Sequence, residues 1–316
     1  MNAVALNSAD VENVLSKDNL VSERYDHIIT RFDPEHGIVW CQWNPQPRAC
    51  FTPELLRDIK KFQEATEIKV NNEIIRNGTS SIEYFVLTSN IENVYSFGGD
   101  LALFSKAILN KDREMLTNYI RLCFDTLYWF VGHNLPITTI SLIQGTAFGA
   151  GFEAALACDV RIAKKSAQMG FPEVLFNMFP GMGAYSFLVR KIGEIQTEKM
   201  ILNGKPYVTD ELYQMGIIDV LAENDDMETS LLGYVKEHKK YKNTHRSIMK
   251  VRKRVNPINR EELIDVANIW VDAAMQLSVK DIRIMERLVK AQYRKNTTPT
   301  SDDATLQRGQ TALSVV

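Results

Sequence analysis

Two glutamates stand in a glycine- and alanine-rich stretch of the sequence, GTAFGAGFEAALACDVRIAKKSAQMGFPEV, which runs from residue 145 to 174. Between Ser141 and Cys158 the only charged residue is Glu153, and Glu173 follows a Phe-Pro pair and precedes Val-Leu-Phe. Carboxylates are seldom fully buried unless they are paired or functional. Two carboxylates in low-polarity surroundings would have raised or split pKa values, which suit them to proton transfer.

Each glutamate also has an ordinary structural explanation. A surface Glu153 in the first turn of a helix would simply oppose the helix dipole. However, the residues around it are apolar on all sides of the helix, and this predicts burial instead. Glu173 has the alternatives of an exposed loop position or an ion pair.

Two glycine-rich turns lead from a strand into a helix. SFGGDLALF follows the apolar run YFVLTS at residues 84–89, and GTAFGAGFEAAL follows TTISLI at 138–143. Tight packing of strand against helix explains either turn alone. Backbone N–H groups at a helix N-terminus also bind negative oxygens, so the two turns together could form an oxyanion hole.

The elements around these turns alternate between strand and helix. Residues 27–44 are predicted to form a hairpin, and Thr52 is predicted to cap a helix that starts at Pro53. Farther on, Thr209 is predicted as a helix N-cap and Gly216 as a stop. Strands alternating with helices predict an α/β fold with a mostly parallel sheet, followed by a C-terminal third that is almost wholly helical.

Composition excludes several other classes of function. The 316 residues are 45% hydrophobic, and 37 basic against 39 acidic residues give no electrostatic case for nucleic acid or a membrane surface. The four widely spaced cysteines form no metal or disulfide pattern, and the sequence shows no signal peptide, so a cytoplasmic location is expected. Motifs for a dinucleotide, a P-loop, a zincin and a serine hydrolase are missing, and neither a metal nor a nicotinamide cofactor is expected.

The ordered motifs resemble the crotonase (enoyl-CoA hydratase) superfamily. Its signature segments correspond here to GTAFGAGFE, then FPE with the second glutamate 20 positions after the first, then FPGMG; SFGGDL and ILNGKPYVTDELYQMGIIDVL are similar to two further segments. The resemblance covers roughly residues 25–225. It implies a crotonase (ClpP/crotonase-like) spiral of ββα units, with an N-terminal extension at 1–24, a helical region at 226–295 and a disordered tail at 296–316.

Within this superfamily, the segments FGGDLALF, GFEAALACD, PEVLFNMFPGMGAYSF and IWVDAAMQL resemble diffusible signal factor synthases, which make cis-2-unsaturated fatty acid signals for quorum sensing. That resemblance implies dehydration of a 3-hydroxyacyl thioester to the cis-2-enoyl form, with acyl carrier protein as the carrier and coenzyme A as the alternative. Hydrolysis would then release the free acid. The implied partners are acyl carrier protein, a signal-sensing regulatory protein and further copies of the chain in a trimer or hexamer; no cofactor is implied.

The resemblance also assigns roles by position. The backbone N–H groups of Gly99 and Ala150 would form the oxyanion hole, where the superfamily usually has glycine in place of Ala150. The N–H survives this exchange, and the next residue, Gly151, preserves the tight turn. Glu173 would remove the C2 proton and Glu153 would protonate the departing C3 hydroxyl, although the two roles could be reversed or combined in one carboxylate.

Eight residues near these positions are candidates to bind the acyl group, with core packing at least as well supported for the apolar side chains. They are Phe97, Gly98, Leu101, Phe104, Gly151, Phe152, Leu175 and Met178. Three other functions remain open on the same residues. They are an ordinary enoyl-CoA hydratase or isomerase, an acyl-CoA thioesterase, and a non-catalytic protein of this fold that binds a regulator.

Overall fold

A computed structural model of the chain describes residues 24–223 and 226–294. The predicted extension (apart from Arg24) and the predicted tail lie outside the described residues. The strands are β1 (Ile28–Asp33), β2 (Ile38–Trp43), β3 (Tyr84–Ser89), β4 (Val94–Ser96), β5 (Thr138–Ile143), β6 (Thr146–Phe148), β7 (Val160–Lys164), β8 (Gln168–Gly170), β9 (Tyr207–Val208) and β10 (Val220–Ala222).

The helices are α1 (Pro53–Asn77), α2 (Leu101–Leu109), α3 (Arg113–Gly132), α4 (Ala150–Ala157), α5 (Ala184–Asn203), α6 (Thr209–Gln214), α7 (Met227–Lys240), α8 (Lys242–Val255), α9 (Arg260–Ala274) and α10 (Val279–Arg294). A 3-10 helix spans Pro172–Phe176. The predicted helical C-terminal third is therefore confirmed in the part of the chain that is described.

The strands form two sheets. The larger has the order β1-β2-β3-β5-β7-β10, and the smaller has the order β4-β6-β8-β9. The predicted hairpin is confirmed, because β1 and β2 pair antiparallel, and every other pair in the larger sheet is parallel. β3 is followed by β4 and then α2, and β5 by β6 and then α4. This repetition is the predicted spiral of ββα units.

This winding brings the two glycine turns together. β4 and β6 are parallel neighbours in the smaller sheet. Their carboxyl ends therefore lie at the same edge, and the turns that follow them, at Gly98–Gly99 and Gly149–Ala150, lie side by side. All eight residues of α4 are buried, as its apolar composition predicts.

Helix boundaries agree with the sequence at most predicted caps. The Thr52 side chain accepts a hydrogen bond from the Leu55 N–H, with Pro53 in the first turn. Thr209 is an exception, because Val208 is the N-cap and Thr209 begins the helix. The Thr209 hydroxyl instead donates to the carbonyl oxygens of Lys164 and Ala167, and so joins α6 to the loop after β7. No helix within the described residues combines the length and apolar character needed to cross a membrane.

Candidate active site

The two glycine turns are in van der Waals contact. Gly98 has a positive φ of 89°, and a β-carbon there would lie 2.8 Å from the Phe148 carbonyl oxygen and 3.1 Å from the Ala150 nitrogen. Only glycine lets the first turn approach the second so closely. Ala150 is the first residue of α4, so its N–H has no acceptor within the helix. An N–H in this position can donate to a ligand oxygen.

A buried polar network holds the first turn from behind. The Arg48 guanidinium forms a bidentate ion pair with the Asp100 carboxylate at 2.6 and 2.7 Å. Asp100 also caps α2 through the Leu103 N–H, and its own N–H donates to the Tyr119 hydroxyl. That hydroxyl donates to the Phe51 carbonyl oxygen at 2.7 Å. The residue immediately after Gly99 is thus fixed on three sides.

Glu153 is one turn into α4 and is only 1% exposed. Its Oε1 accepts hydrogen bonds from the N–H groups of Met182 and Ala184, at 2.7 and 2.9 Å. Burial raises the pKa of Glu153 to about 7, and the two N–H donors limit the rise because they stabilise the carboxylate. The carboxyl group is therefore poised to exchange a proton near neutral pH.

Glu173 approaches from the 3-10 helix on the opposite side. Its carboxyl group lies against Gly149, in the space that a side chain at that position would fill. The Oε2 atom is buried and has no hydrogen-bond partner among the described residues. Burial raises the pKa of Glu173 to about 8, and the charge of Glu153 adds to the effect. The two carboxyl groups thus interact, and Glu173, whose Oε2 lacks a partner, keeps its proton to higher pH than Glu153.

Both glutamates and both turns line one cavity of about 230 Å³. Six of the predicted functional residues besides the glutamates lie on its wall: Phe97, Gly98, Gly99, Leu101, Phe104 and Ala150. Apart from the two carboxyl groups and the backbone, the wall is made of apolar side chains. The arrangement suits an apolar acyl chain whose polar end meets the glutamates.

Four predicted acyl-binding residues lie away from this wall. Phe152 is fully buried and stacks on Phe171, because consecutive side chains of a helix point about 100° apart and Phe152 therefore does not share the direction of Glu153. Gly151 faces Ser96, and Met178 belongs to the hydrophobic core. Leu175 is 50% exposed on the outside of the 3-10 helix.

Two other wall residues lie far from the glycine-rich motifs in sequence. Trp270 of α9 and Leu288 of α10 close the cavity from the C-terminal region. The Trp270 ring lies 4.9 Å from that of Phe104, and it contacts Gly181, where no side chain is in the way. These contacts join residues far apart in sequence, so only the fold reveals them. Within residues 24–223 and 226–294, no group of three His, Cys, Asp or Glu side chains is placed to hold a metal ion.

Comparison with known proteins agrees with this fold. The enoyl-CoA hydratase/isomerase family matches residues 75–281. The crystal structure of an enoyl-CoA hydratase from Bacillus halodurans superposes with a TM-score of 0.70, at 21% identity, over 84% of this chain and 100% of that one. At that identity the likeness shows the fold, which is the crotonase fold. The chain belongs to the enoyl-CoA hydratase/isomerase family.

Two sequence relatives match this chain over part of their length. The enoyl-CoA hydratase/isomerase YngF of Bacillus subtilis, itself described as putative, is 29% identical over 202 residues, or 64% of this chain and 72% of YngF. The fatty acid oxidation complex subunit alpha of Idiomarina loihiensis is 28% identical over 182 residues, or 56% of this chain. The match spans 24% of that subunit, so it corresponds to one part of a longer protein.

Proposed function

We propose that the protein moves water across the C2–C3 bond of an acyl thioester. The observation that carries this proposal is the placement of Glu153 and Glu173 on one cavity wall, both with raised pKa values, beside the two glycine turns. The thioester oxygen would accept hydrogen bonds from the N–H groups of Gly99 and Ala150, which lower the energy of the enolate. Loss of one such donor typically costs about 10²–10³ in rate.

Dehydration uses each carboxyl group once. Glu173 takes the C2 proton, the C3–O bond breaks, and the leaving hydroxyl takes the proton of Glu153 and departs as water. Hydration is the same step in reverse, with Glu153 taking a proton from water and Glu173 giving one to C2. The two N–H donors at Glu153 favour its carboxylate, whereas Glu173 has no donor at Oε2. The resting protonation state therefore favours hydration, and dehydration starts from the state with the proton on Glu153.

The finer proposal is the synthesis of a cis-2-unsaturated fatty acid signal. It rests on the sequence resemblance to diffusible signal factor synthases, which extends from the glycine turns into the C-terminal helices. In this proposal the substrate is a 3-hydroxyacyl group on acyl carrier protein, with coenzyme A as the other carrier. After dehydration, one glutamate takes a proton from water as the water oxygen attacks the thioester carbonyl. The C–S bond then breaks, the carrier thiol leaves with that proton, and the free acid is released. A homo-oligomer and a complex with a signal-sensing regulatory protein belong to the same proposal.

The test is product analysis with purified protein. 3-Hydroxyoctanoyl and 3-hydroxydodecanoyl thioesters of acyl carrier protein and of coenzyme A are incubated separately, and products are identified by mass spectrometry with authentic cis and trans acids as standards. We expect free cis-2-enoic acid from the carrier-protein substrates. Glu153→Gln and Glu173→Gln should lower its formation by about 10²–10⁴-fold, and the exposed Glu194→Gln should not change it.

Each other outcome selects a different function. A trans-2-enoyl thioester that keeps its carrier indicates an ordinary hydratase, and migration of a double bond without water exchange indicates an isomerase. Release of acid from saturated thioesters without any enoyl product indicates a thioesterase. If no substrate turns over and neither glutamine variant differs from wild type, water transfer is excluded and a non-catalytic binding role is favoured.

A further inference from the structure

A second cavity, of about 280 Å³, lies at the opposite end of α4 from the acyl cavity. Ala150 and Glu153 face the acyl cavity near the helix N-terminus, whereas Leu156 and Ala157 line the second cavity at its C-terminus. The two cavities share no wall residue. The proposed water transfer makes no use of this second cavity.

The wall of the second cavity is strongly cationic. Five long basic side chains line it against a single carboxylate, that of Asp159: Arg161, Arg190, Lys191, Arg252 and Lys253. Two of the five are neutralised nearby, because Arg161 pairs with Asp219 and Arg190 pairs with Glu262. Arg252 forms an ion pair with Asp159 at 3.2 Å, and the Arg252 side chain remains 45% exposed. The wall therefore carries an excess of positive charge.

Lys191 shows the effect of this excess most directly. Among the described residues its ammonium group has no hydrogen-bond or ion-pair partner. Burial lowers the pKa of Lys191 to about 7; the charges of Arg161 and Arg252 add to the effect, and those of Asp219 and Asp159 oppose it. An anion beside Lys191 would stabilise its charged form and relieve the repulsion.

His133 provides a second, independent indication of a ligand. The residue lines the cavity and is 7% exposed, and both ring nitrogens are buried without a hydrogen-bond partner in the described part of the chain. Burial lowers the pKa of His133 to about 4, and Lys253 adds to the effect, so the ring is neutral at pH 7. A neutral imidazole carries one N–H donor. A buried donor left unpaired costs free energy, which a ligand oxygen would recover.

The rest of the wall combines apolar and polar groups. Phe130, Leu156, Phe187 and Ile258 give it an apolar surface, beside the side chains of Asn134 and Asn256. The volume corresponds to roughly nine water molecules at about 30 Å³ each. An inorganic anion would satisfy the cations but leave this apolar surface wet, whereas a carboxylate with a hydrocarbon chain would cover both.

We propose that the second cavity binds the carboxylate of a free fatty acid, with the head group at Lys191 and His133 and the chain along Phe187 and Ile258. This inference rests on the composition of the wall and does not require the proposed thioester hydrolysis. If that hydrolysis does occur, its product belongs to the same chemical class as this ligand. The acid would then be held at the far end of the helix that carries Glu153.

Calorimetric titration of the full chain with octanoate tests the proposal. Lys191→Met removes the charge and keeps most of the side-chain volume. The control is Lys199→Met, at an exposed position in the part of α5 that follows the break at Gly193. We expect Lys191→Met to weaken one octanoate site at least tenfold and Lys199→Met to leave it unchanged. Octanol, which lacks the charge, should not bind that site. Octanoate bound in the acyl cavity would be unaffected by Lys191→Met and would remain as a separate component.

An octanoate analogue with a diazirine at the chain terminus locates the site. Labelling should map to the segments around Phe187 and Ile258 in wild type and be lost in Lys191→Met. Labelling confined to the acyl cavity, or equal affinity in wild type and Lys191→Met, overturns the proposal. Inorganic phosphate that binds at Lys191 without competition from octanoate also overturns it, because the site would then select a different chemistry. These outcomes do not depend on whether the protein turns over a thioester.

Discussion

The carboxyl group of Glu173 fills the space over Gly149, the residue that immediately precedes the helix bearing Glu153. The two glutamates are thus held by one turn, although they come from different elements. Gly149 has φ 52° and ψ −126°, a conformation that side chains rarely adopt. Its missing side chain is what admits the second carboxyl group to the site.

Gly149→Ala should therefore abolish most activity. The added methyl group displaces the Glu173 carboxyl and strains the turn by about 1–3 kcal/mol, so we expect kcat to fall by at least about 10²-fold. Steady-state kinetics and thermal unfolding check this. The control is Gly233→Ala in α7, where an added β-carbon would have no atom of another part of the chain within 4 Å. It should keep full activity and gain about 0.5–1 kcal/mol in unfolding free energy. Equal activity of the two variants would contradict the placement of Glu173.

Sequence patterns predicted the local surroundings of the two glutamates well, because these surroundings depend on residues close together in the chain. The glycine turns, the buried helix of Glu153 and the hairpin each follow from residues close together in the chain. The assignment of Thr209 as an N-cap was wrong, because its hydroxyl donates hydrogen bonds to carbonyl oxygens outside the helix, those of Lys164 and Ala167. Such a choice depends on tertiary neighbours.

The cavity wall was less predictable for the same reason. Gly151 and Phe152 are adjacent in sequence to the turn at Gly149–Ala150, but the helical geometry of α4 directs them into the core. Trp270 reaches the cavity from a distant part of the sequence, through contacts with Phe104 and Gly181. The FPGMG segment is part of the resemblance. Only the structure shows that the N–H group of Met182, within this segment, and that of Ala184, directly after it, donate hydrogen bonds to the Glu153 carboxyl group.

The pH dependence of hydration should follow the two raised pKa values. Activity rises as Glu153 ionises near pH 7 and falls as Glu173 loses its proton near pH 8. We therefore expect a bell-shaped kcat/KM profile with its maximum between about pH 7 and 8, measured with a 2-enoyl thioester. A profile that is flat from pH 5 to 9 would rule out this pair as the proton carriers.

Stability should change in the opposite sense to an ordinary salt-bridged carboxylate. The pKa of Glu173 is higher in the folded protein than its ordinary value of 4.5, so its ionisation opposes folding. The unfolding free energy of wild type should thus fall as pH rises from about 4.5 through 8, by up to the order of 5 kcal/mol from this group. Glu173→Gln should remove this dependence of the unfolding free energy on pH, whereas the control Glu194→Gln should keep it. Thermal unfolding of both variants between pH 4.5 and 8 measures the difference. The same pH dependence in both variants would refute the burial of the Glu173 carboxyl group.

The Arg48–Asp100 pair should affect both stability and rate. Arg48→Met leaves the Asp100 carboxylate buried without its partner, which typically costs about 3–5 kcal/mol. Adding Asp100→Asn should recover part of that stability while keeping a side chain that can cap α2. If the pair also positions the turn at Gly99, kcat in the double variant stays below wild type with little change in KM. Arg57→Met, on the exposed side of α1, is the control, and a double variant with wild-type kcat would limit the pair to a structural role.

The C-terminal helices should set the length of acyl chain that the site accepts. Leu288 lies on the cavity wall, so Leu288→Trp reduces the space available, whereas its neighbour Arg287 is exposed and does not line the cavity. We expect Leu288→Trp to lower kcat/KM for dodecanoyl substrates at least tenfold more than for butanoyl substrates, because only the longer chain reaches α10. Arg287→Trp should leave the ratio unchanged. An equal loss for both chain lengths would place the acyl tail elsewhere, since a general distortion of the site does not discriminate by length.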